Sequence, residues 1–422
     1  MTYREVLENA RTCMGAYCRS CPVCDGRACR NTMPGPGAKG AGTVAIRNYQ
    51  KWQELCVNMD TIGETGPVDT TWEVLGHSFV LPVLAGPVGA VQLHYGDKYT
   101  DLTYNELLLS ACAQAGIAAF TGDGKDPKVI QAAAGALKGM KGTGVPTIKP
   151  WDLETVREKI DLVRDADPFA IAMDIDAAGL PFLQNAVPPA GRKTVEELRE
   201  IADYAGKPFI LKGIMTARGA EKALEAGAAG IVVSNHGGRG LDQGPATAEV
   251  LPEIVQAVGG KLIILVDGGI RSGVDVFKAL ALGADGVLIA RPFVNMVYGG
   301  GAEGVRLYVE KLCAELADTM AMCGAATLKD IDRSMIRFKS IFGKEKSSLT
   351  QKVKELFWRR RRDLNPRAVS PAYSLSRGAP SATWVLLQAE IENKYWGPRK
   401  SEFRFCGERK KKPVDMELSA LP

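Results

Sequence analysis

The chain has 422 residues, 46% of them hydrophobic, enough to bury the core of one large barrel or of two ordinary domains. No apolar run approaches the ~20 residues of a membrane-spanning helix, and the opening Met1-Thr2-Tyr3-Arg4-Glu5-Val6 has no signal-peptide core, so a cytoplasmic protein with no membrane partner is expected. The net charge of +5 is unevenly placed: from Lys344 onward 18 lysines and arginines face 9 acidic residues, and before it the count is 35 against 39. The larger part is mildly acidic, so nucleic acid is not its implied partner.

Residues 1–78 read as an N-terminal extension with a turn-rich Pro34-Gly35-Pro36-Gly37 and half of the ten cysteines, in Cys13-x4-Cys18-x2-Cys21-x2-Cys24-x4-Cys29. In a reducing cytosol such dense spacing favours metal ligation over disulfides. Four thiolates in one loop suit tetrahedral zinc or an iron–sulfur cluster, and consecutive Cys-x2-Cys steps favour the second. Five cysteines exceed one site's need, so the competing reading is a reduced structural or redox-active group. At least four of the five are expected to bind one centre, supplying stability to a segment with little core of its own.

From about 79 to 293 short apolar runs alternate with alanine-rich helical stretches. The runs are Phe79–Pro87, Gly116–Thr121, Pro146–Pro150, Ala170–Asp176, Pro208–Ile214, Gly230–Asn235, Leu262–Asp267 and Gly286–Pro292. Helical segments follow the later ones, at Thr194–Ala205, Ala217–Ala226, Pro245–Val258 and Gly273–Ala281. Such alternation implies a parallel sheet, and eight units in roughly 215 residues fit a closed (β/α)8 barrel of the α/β class. Residues 294–343 read as closing helices, which ends a barrel domain at 79–343. Residues 344–422, with Arg359-Arg360-Arg361-Arg362 and Lys410-Lys411-Lys412, lack any period and read as a disordered tail.

In a barrel of this kind reacting groups come from the C-terminal ends of the strands. The fourth run ends in Asp174-Ile175-Asp176 and the fifth in Leu211-Lys212-Gly213. The sixth ends in Ser234-Asn235-His236-Gly237-Gly238-Arg239. A neutral imidazole there can take a proton and a guanidinium can grip a carboxylate by two hydrogen bonds. The seventh run ends in Asp267-Gly268-Gly269-Ile270-Arg271 and the eighth in Ala290-Arg291-Pro292, where glycine N–H groups, helix N-termini and two arginines suit a phosphate. No Gly-x-Gly-x-x-Gly loop opens a strand–helix unit, so a mononucleotide is favoured over a dinucleotide.

The blocks around Ser234–Arg239 and Asp267–Ala284 resemble the FMN-dependent α-hydroxy acid dehydrogenase/oxidase family, which includes glycolate oxidase, lactate oxidase and flavocytochrome-type lactate dehydrogenase. The likeness runs over roughly residues 45 to 335. It implies oxidation of an L-2-hydroxy acid to the 2-oxo acid, an electron acceptor still to be identified, and a homo-oligomer. By the same resemblance His236 accepts the hydroxyl proton, Asp176 holds the resulting imidazolium, Arg239 binds the substrate carboxylate, and Lys212 sits by the flavin where charge collects on reduction. FMN is expected against Ala85, Gly86, Thr121, Lys149, Asp174, Lys212, Ser234, Asp267, Gly269, Arg271, Ala290 and Arg291. The chain also departs from the pattern. In Thr147-Ile148-Lys149-Pro150-Trp151, lysine and tryptophan replace the usual glutamine and tyrosine, Asp174 replaces a threonine, Gly240 a glutamine and Ala290 a glycine. No counterpart of the N-terminal tyrosine stands near Asn31–Gly37. Two other readings follow: an FMN enzyme on a different substrate, like the type 2 isopentenyl diphosphate isomerases, and a flavin- or metal-carrying electron-transfer protein without its own substrate.

Overall fold

Eight short strands pair in parallel and close into a ring in chain order. They are β1 (Val83–Ala85), β2 (Ala119–Thr121), β3 (Gly144–Ile148), β4 (Ile171–Asp174), β5 (Phe209–Ile214), β6 (Gly230–Val233), β7 (Ile263–Val266) and β8 (Gly286–Ile289). The closing pair matches Val287 with Val83, Leu288 with Leu84 and Ile289 with Ala85. This computed structural model describes residues 1–338 apart from 64, 65 and 141; the expected tail at 344–422 lies outside the described residues. Seven strands fall inside the apolar runs read from the sequence, and β3 begins earlier than expected, at Gly144. The expected (β/α)8 barrel is the fold.

Period-2 alternation sorts the strand residues. One set, with Leu84, Phe120, Val145, Ala172, Ile210, Val232, Leu265 and Leu288, packs together as the barrel's inner core. The alternate set, including Val83, Ala119, Ile171, Leu211, Ile231 and Val287, joins the surrounding helices in the larger outer core. Four of those helices, Val195–Ala205, Ala217–Glu225, Thr247–Val258 and Gly273–Ala281, lie within two residues of their expected bounds. The first is set by a capping box between Thr194 and Glu197.

A hairpin of Trp72–Val74 and His77–Phe79 plugs the N-terminal end of the barrel. Trp72 and Phe79 enter the inner core, their rings 5.9 Å apart, and Phe79 meets Phe169 at 6.0 Å. The chain after β8 corrects one expectation. A single helix runs Arg291–Met322, with a break at Gly301, but residues 323–338 are short turns and a strand, Ile336–Phe338, antiparallel to Leu55–Val57. The helix Tyr3–Cys13 lies on Arg291–Met322 at a spot that only glycine permits: a Cβ at Gly299 would sit 1.9 Å from the carbonyl oxygen of Val6.

Trp72→Ala would leave a void at the barrel floor, remote from the strand ends that carry the polar residues. A loss of about 3–5 kcal/mol in urea unfolding is expected; a loss below about 1 kcal/mol would show that the plug contributes little.

Candidate active site

The pleat that fills the barrel also aims the polar residues. Continuing the inward set past the inner core brings Lys149, Asp174, Lys212, Ser234 and Asp267 to its C-terminal mouth, all of them nearly or fully out of contact with solvent except Asp267. Lys149 Nζ donates to Asp174 Oδ2 at 2.6 Å and Lys212 Nζ lies 2.9 Å from Asp174 Oδ1. Burial alone would raise the Asp174 carboxyl, but the two ammonium groups outweigh it and hold Asp174 well below the usual carboxylate range. Lys212 also faces Asp267 at 3.8 Å, and its own titration is driven upward by Asp174, Asp176 and Asp267 against the cost of burial. Burial pushes the Asp267 carboxyl up, with Lys212 opposing.

After β6 the chain turns through three consecutive left-handed residues, His236 (φ 54°), Gly237 (63°) and Gly238 (81°). For a histidine this conformation is strained. It is held by the Ser234 hydroxyl, which accepts the His236 N–H at 3.1 Å. Asn235 and Asn48 exchange amide hydrogen bonds of 2.7 and 2.9 Å, fastening the turn to the helix Thr43–Glu54. His236 Nδ1 is 3.0 Å from Asp176 Oδ1. That contact fixes the imidazole and leaves Nε2 as the face for chemistry.

A cavity of about 1110 Å³ opens over this mouth, lined by Lys149, Asp174, Lys212, His236, Arg239, Asp267, Gly269, Arg271, Ala290 and Arg291 among others. Ten residues expected from the sequence therefore meet in one place, and Asp176 supports His236 from behind. Ala85, Gly86, Thr121 and Ser234 are not among the lining residues. On β2 the reason is register. Phe120 points into the barrel, so Thr121 turns toward the helices and Gly122 takes the cavity wall. Trp151 does not occupy the substrate side either. Its Nε1 donates to Asp123 Oδ2 at 2.7 Å, and Asp123 also accepts from Lys149 N–H and Lys159 Nζ.

Several lining residues carry no signal of their own in the sequence. The strap Met33–Pro36 crosses the opening, where Arg239 Nη1 donates to the carbonyls of Gly35 and Gly37. His94 and Tyr95 come from a one-turn helix, Val91–Tyr95. His94 Nδ1 accepts the Gly35 N–H at 2.9 Å, and burial, aided by Arg239 and Lys149, brings its titration down to about 4. Tyr95, raised by burial above the usual phenol range, lies close enough to Arg239 and Arg291 to feel both charges. Being one of only three histidines, His94 could have been suspected from rarity alone.

The two arginines at the ends of β7 and β8 serve two sides. Both line the cavity, yet Arg271 Nε donates to the Cys24 carbonyl at 2.7 Å and its Nη2 lies 3.8 Å from Cys24 Sγ. Arg291 lies close enough to Cys29 for its charge to oppose the rise that burial gives the thiol, while its Nη1 is buried with no partner among the described residues.

Comparison with known proteins bears on this geometry. The model of a family described as FMN-dependent dehydrogenase matches residues 36–188 and 182–338. An L-lactate oxidase of Lactobacillus jensenii is 30% identical over 320 residues, 70% of this chain and 76% of that protein. A peroxisomal (S)-2-hydroxyacid oxidase of Arabidopsis thaliana is 50% identical, but over 145 residues, so the match spans only 39% of its length. The crystal structure of a mandelate oxidase superposes with a TM-score of 0.66 at 26% identity, covering 80% of this chain and 97% of that one.

Two stability effects follow from the charges. Asp174→Asn would leave two buried ammonium groups sharing no carboxylate, and a loss of about 3–5 kcal/mol at neutral pH is expected. Because the folded carboxyl is depressed, this stabilisation is complete above the unfolded value near ~3.9 and fades only as pH falls below it. His94 has the opposite charge type but is also depressed, so the unfolded chain binds the extra proton between about 6.5 and about 4. Stability from this residue is full above that window and declines as pH drops through it. Urea midpoints at pH 7 and pH 5 should therefore separate more in the parent than in His94→Gln; equal separations would remove His94 as the source.

Proposed function

Since the chain belongs to the FMN-dependent dehydrogenase family, we propose that it oxidises a small L-2-hydroxy acid to the 2-oxo acid, using FMN held in the cavity over β5–β8. The observation that carries this reading is the His236–Asp176 contact of 3.0 Å beside Arg239 and Lys212 at one cavity. Base, carboxylate grip and buried cation are the three groups called for when a hydroxy acid loses its hydroxyl proton and its α-hydrogen with two electrons.

The residues present fit the cofactor. Arg291 offers a buried guanidinium nitrogen that lacks a partner, and the N-terminus of the helix Arg291–Met322 adds its partial positive charge. These, with Arg271 and the Gly269 backbone, would hold the phosphate. Lys149, Asp174 and Lys212 leave one positive charge in excess at the barrel mouth, which would face the ring system. When bound, FMN supplies an acceptor for the α-hydrogen and its two electrons.

The chain's own residues do the rest. Arg239 is held by the strap through Nη1, which leaves the other edge of its fork for the substrate carboxylate. His236, aimed by Asp176 through Nδ1, takes the hydroxyl proton on Nε2. Asp176 then stabilises the imidazolium, as a buried carboxylate does for any catalytic histidine it orients. Lys212 contributes a fixed cation that needs no reorganisation as negative charge develops. The strap Met33–Pro36, fastened to Arg239 and His94, shields the site from water. Tyr95, near Arg239, can take the place of the substrate tyrosines that the sequence lacks. The physiological electron acceptor is a separate partner.

Anaerobic mixing of the flavin-loaded chain with a panel of L-2-hydroxy acids tests the reading. At least one acid should bleach the flavin. His236→Ala should slow bleaching by about a hundred-fold or more with flavin still bound. Arg239→Lys should mainly raise the concentration of acid required, because an ammonium cannot reproduce a two-pronged contact. Reduction by His236→Ala at the parental rate would overturn the base assignment, and a flavin inert to every acid would overturn the substrate class.

A further inference from the structure

The metal centre expected among Cys13, Cys18, Cys21, Cys24 and Cys29 finds no support in the fold: no three cysteine sulfurs of the described residues lie within 4.8 Å of one another. What the same stretch brings to the cavity is the strap Met33–Pro36. Between the helices Tyr3–Cys13 and Thr43–Glu54 the chain forms no helix or strand. Pro34 and Pro36 carry no N–H, so the one donor between them is that of Gly35. Side chains hold the crest of the strap instead of a backbone ladder. Its packing is close: a Cβ at Gly35, where φ is 128°, would sit 2.8 Å from Tyr17 Cβ, and one at Gly37 would sit 2.0 Å from the Cys29 carbonyl oxygen.

Two side chains meet at Gly35. His94 Nδ1 accepts its N–H at 2.9 Å, and Arg239 Nη1 donates to its carbonyl and, at 3.0 Å, to that of Gly37. One residue of the strap thus joins His94 to the guanidinium that faces the substrate. The His94 end is firmly placed. In its one-turn helix Val91–Tyr95 the Val91 N–H is taken by Asp101 Oδ1 at 3.2 Å, and the Tyr95 carbonyl accepts the Gly15 N–H at 2.7 Å.

A neutral imidazole has one acceptor nitrogen and one donor, so this contact requires the proton on Nε2. A protonated ring would turn a second N–H toward that of Gly35, and the latch would have no acceptor. Burial is the main cause that keeps the proton off. The charges facing the ring act the same way: Arg239 and His236 from the turn after β6, and Lys149 from the end of β3. Between Met33 and Pro36 the strap itself carries no titratable side chain. With the strap lifted, the ring would meet water and titrate near ~6.5, against about 4 when covered. The covered state binds fewer protons, so opening becomes easier as pH falls through that window.

We propose that His94 is a positioning residue for Arg239: as a neutral ring it latches the strap over the cavity and so holds the guanidinium ready for a carboxylate, and on protonation it lets the strap go. What Arg239 grips rests on the hydroxy-acid reading; the latch itself does not.

Hydrogen exchange of the flavin-loaded full chain, read by mass spectrometry on peptides spanning the strap, tests the latch without substrate. At pH 7 His94→Leu should speed strap exchange roughly three- to ten-fold, the worth of one hydrogen bond. His94→Asn, whose Oδ1 accepts in place of Nδ1, should stay near the parent. Between pH 7 and pH 5, once the intrinsic pH dependence of exchange is removed, strap opening should rise on the order of ten-fold in the parent and stay level in His94→Asn, which has no proton to gain. Turnover of a hydroxy acid then reads the positioning: His94→Leu should raise KM more than it lowers kcat, and His94→Asn should bring KM back. The parent and His94→Asn decide the matter even where His94→Leu fails to fold. Strap exchange in His94→Leu equal to the parent's would overturn the latch, and a pH response shared by His94→Asn would overturn the proton as its release. A fall in kcat with KM unmoved would overturn the positioning of Arg239. If no acid reduces the flavin, the hydroxy-acid reading fails and the positioning role falls with it, while exchange still decides the latch.

Discussion

The ion group Lys149–Asp174–Lys212 is the constraint around which the upper half of this barrel is arranged. Three charges leave water together, and two cations share one carboxylate at 2.6 and 2.9 Å. Coulomb attraction of this kind offsets desolvation only when the geometry is good and the remaining charge is met by something else. Here one positive charge is left over. Asp267 stands farther off, 3.8 Å from Lys212, and relieves it only in part. The mouth of the barrel is therefore prepared for a ligand that carries or develops negative charge, before any particular ligand is considered. The departures from the usual family pattern at Lys149 and Asp174 have a joint explanation. Without Asp174 the Lys149 ammonium would lose the carboxylate it meets at 2.6 Å, and Asp174, at the end of β4, compensates it while also facing Lys212.

What was legible in the sequence follows from periodicity. A parallel strand buried on both faces must be apolar and short, so the eight runs stand out, and the last inward residue of each strand is predictable once its register is known. That is why Lys212, Asp174 and Asp267 stand out at strand ends, whereas His236 and Arg239, past the end of β6, are legible from the Ser234–Arg239 block itself. Register is also where the reading slips. β3 starts earlier than expected, at Gly144, and Thr121 sits on the outward side of β2, a strand of three residues that gives the alternation little to act on. Trp151 was legible as an inserted aromatic, but its fate depended on Asp123, whose role as acceptor for Lys149, Trp151 and Lys159 is a tertiary fact.

Other parts were hidden because no period announces them. The strap Met33–Pro36 carries function through backbone carbonyls, which every residue has, and only the fold brings Gly35 and Gly37 to Arg239. His94 and Tyr95 sit on a helix of a single turn, too short for any amphipathic pattern. The strand Ile336–Phe338 reads as part of a closing helical region, since its partner Leu55–Val57 lies far off in sequence and sheet pairing over that distance is a long-range choice.

The N-terminal segment and the barrel meet through two residues that neither can spare. Arg271 and Arg291 end on the cavity at one edge and on Cys24 and Cys29 at the other. A guanidinium presents five N–H donors in a planar fork, so a single side chain can face the cavity and the cysteine loop at once. Sharing of this kind couples the two sites electrostatically. Negative charge on the loop strengthens the hold on each arginine but weakens its attraction for an anion in the cavity, and the reverse also applies. Of the two, Arg291 is the better placed to transmit that balance: it begins the helix Arg291–Met322, whose first third receives the helix Tyr3–Cys13 at Gly299. The cysteine loop is thus clamped between the first helix of the chain and the helix that follows the last barrel strand, and the second of these also carries Arg291 to the cavity.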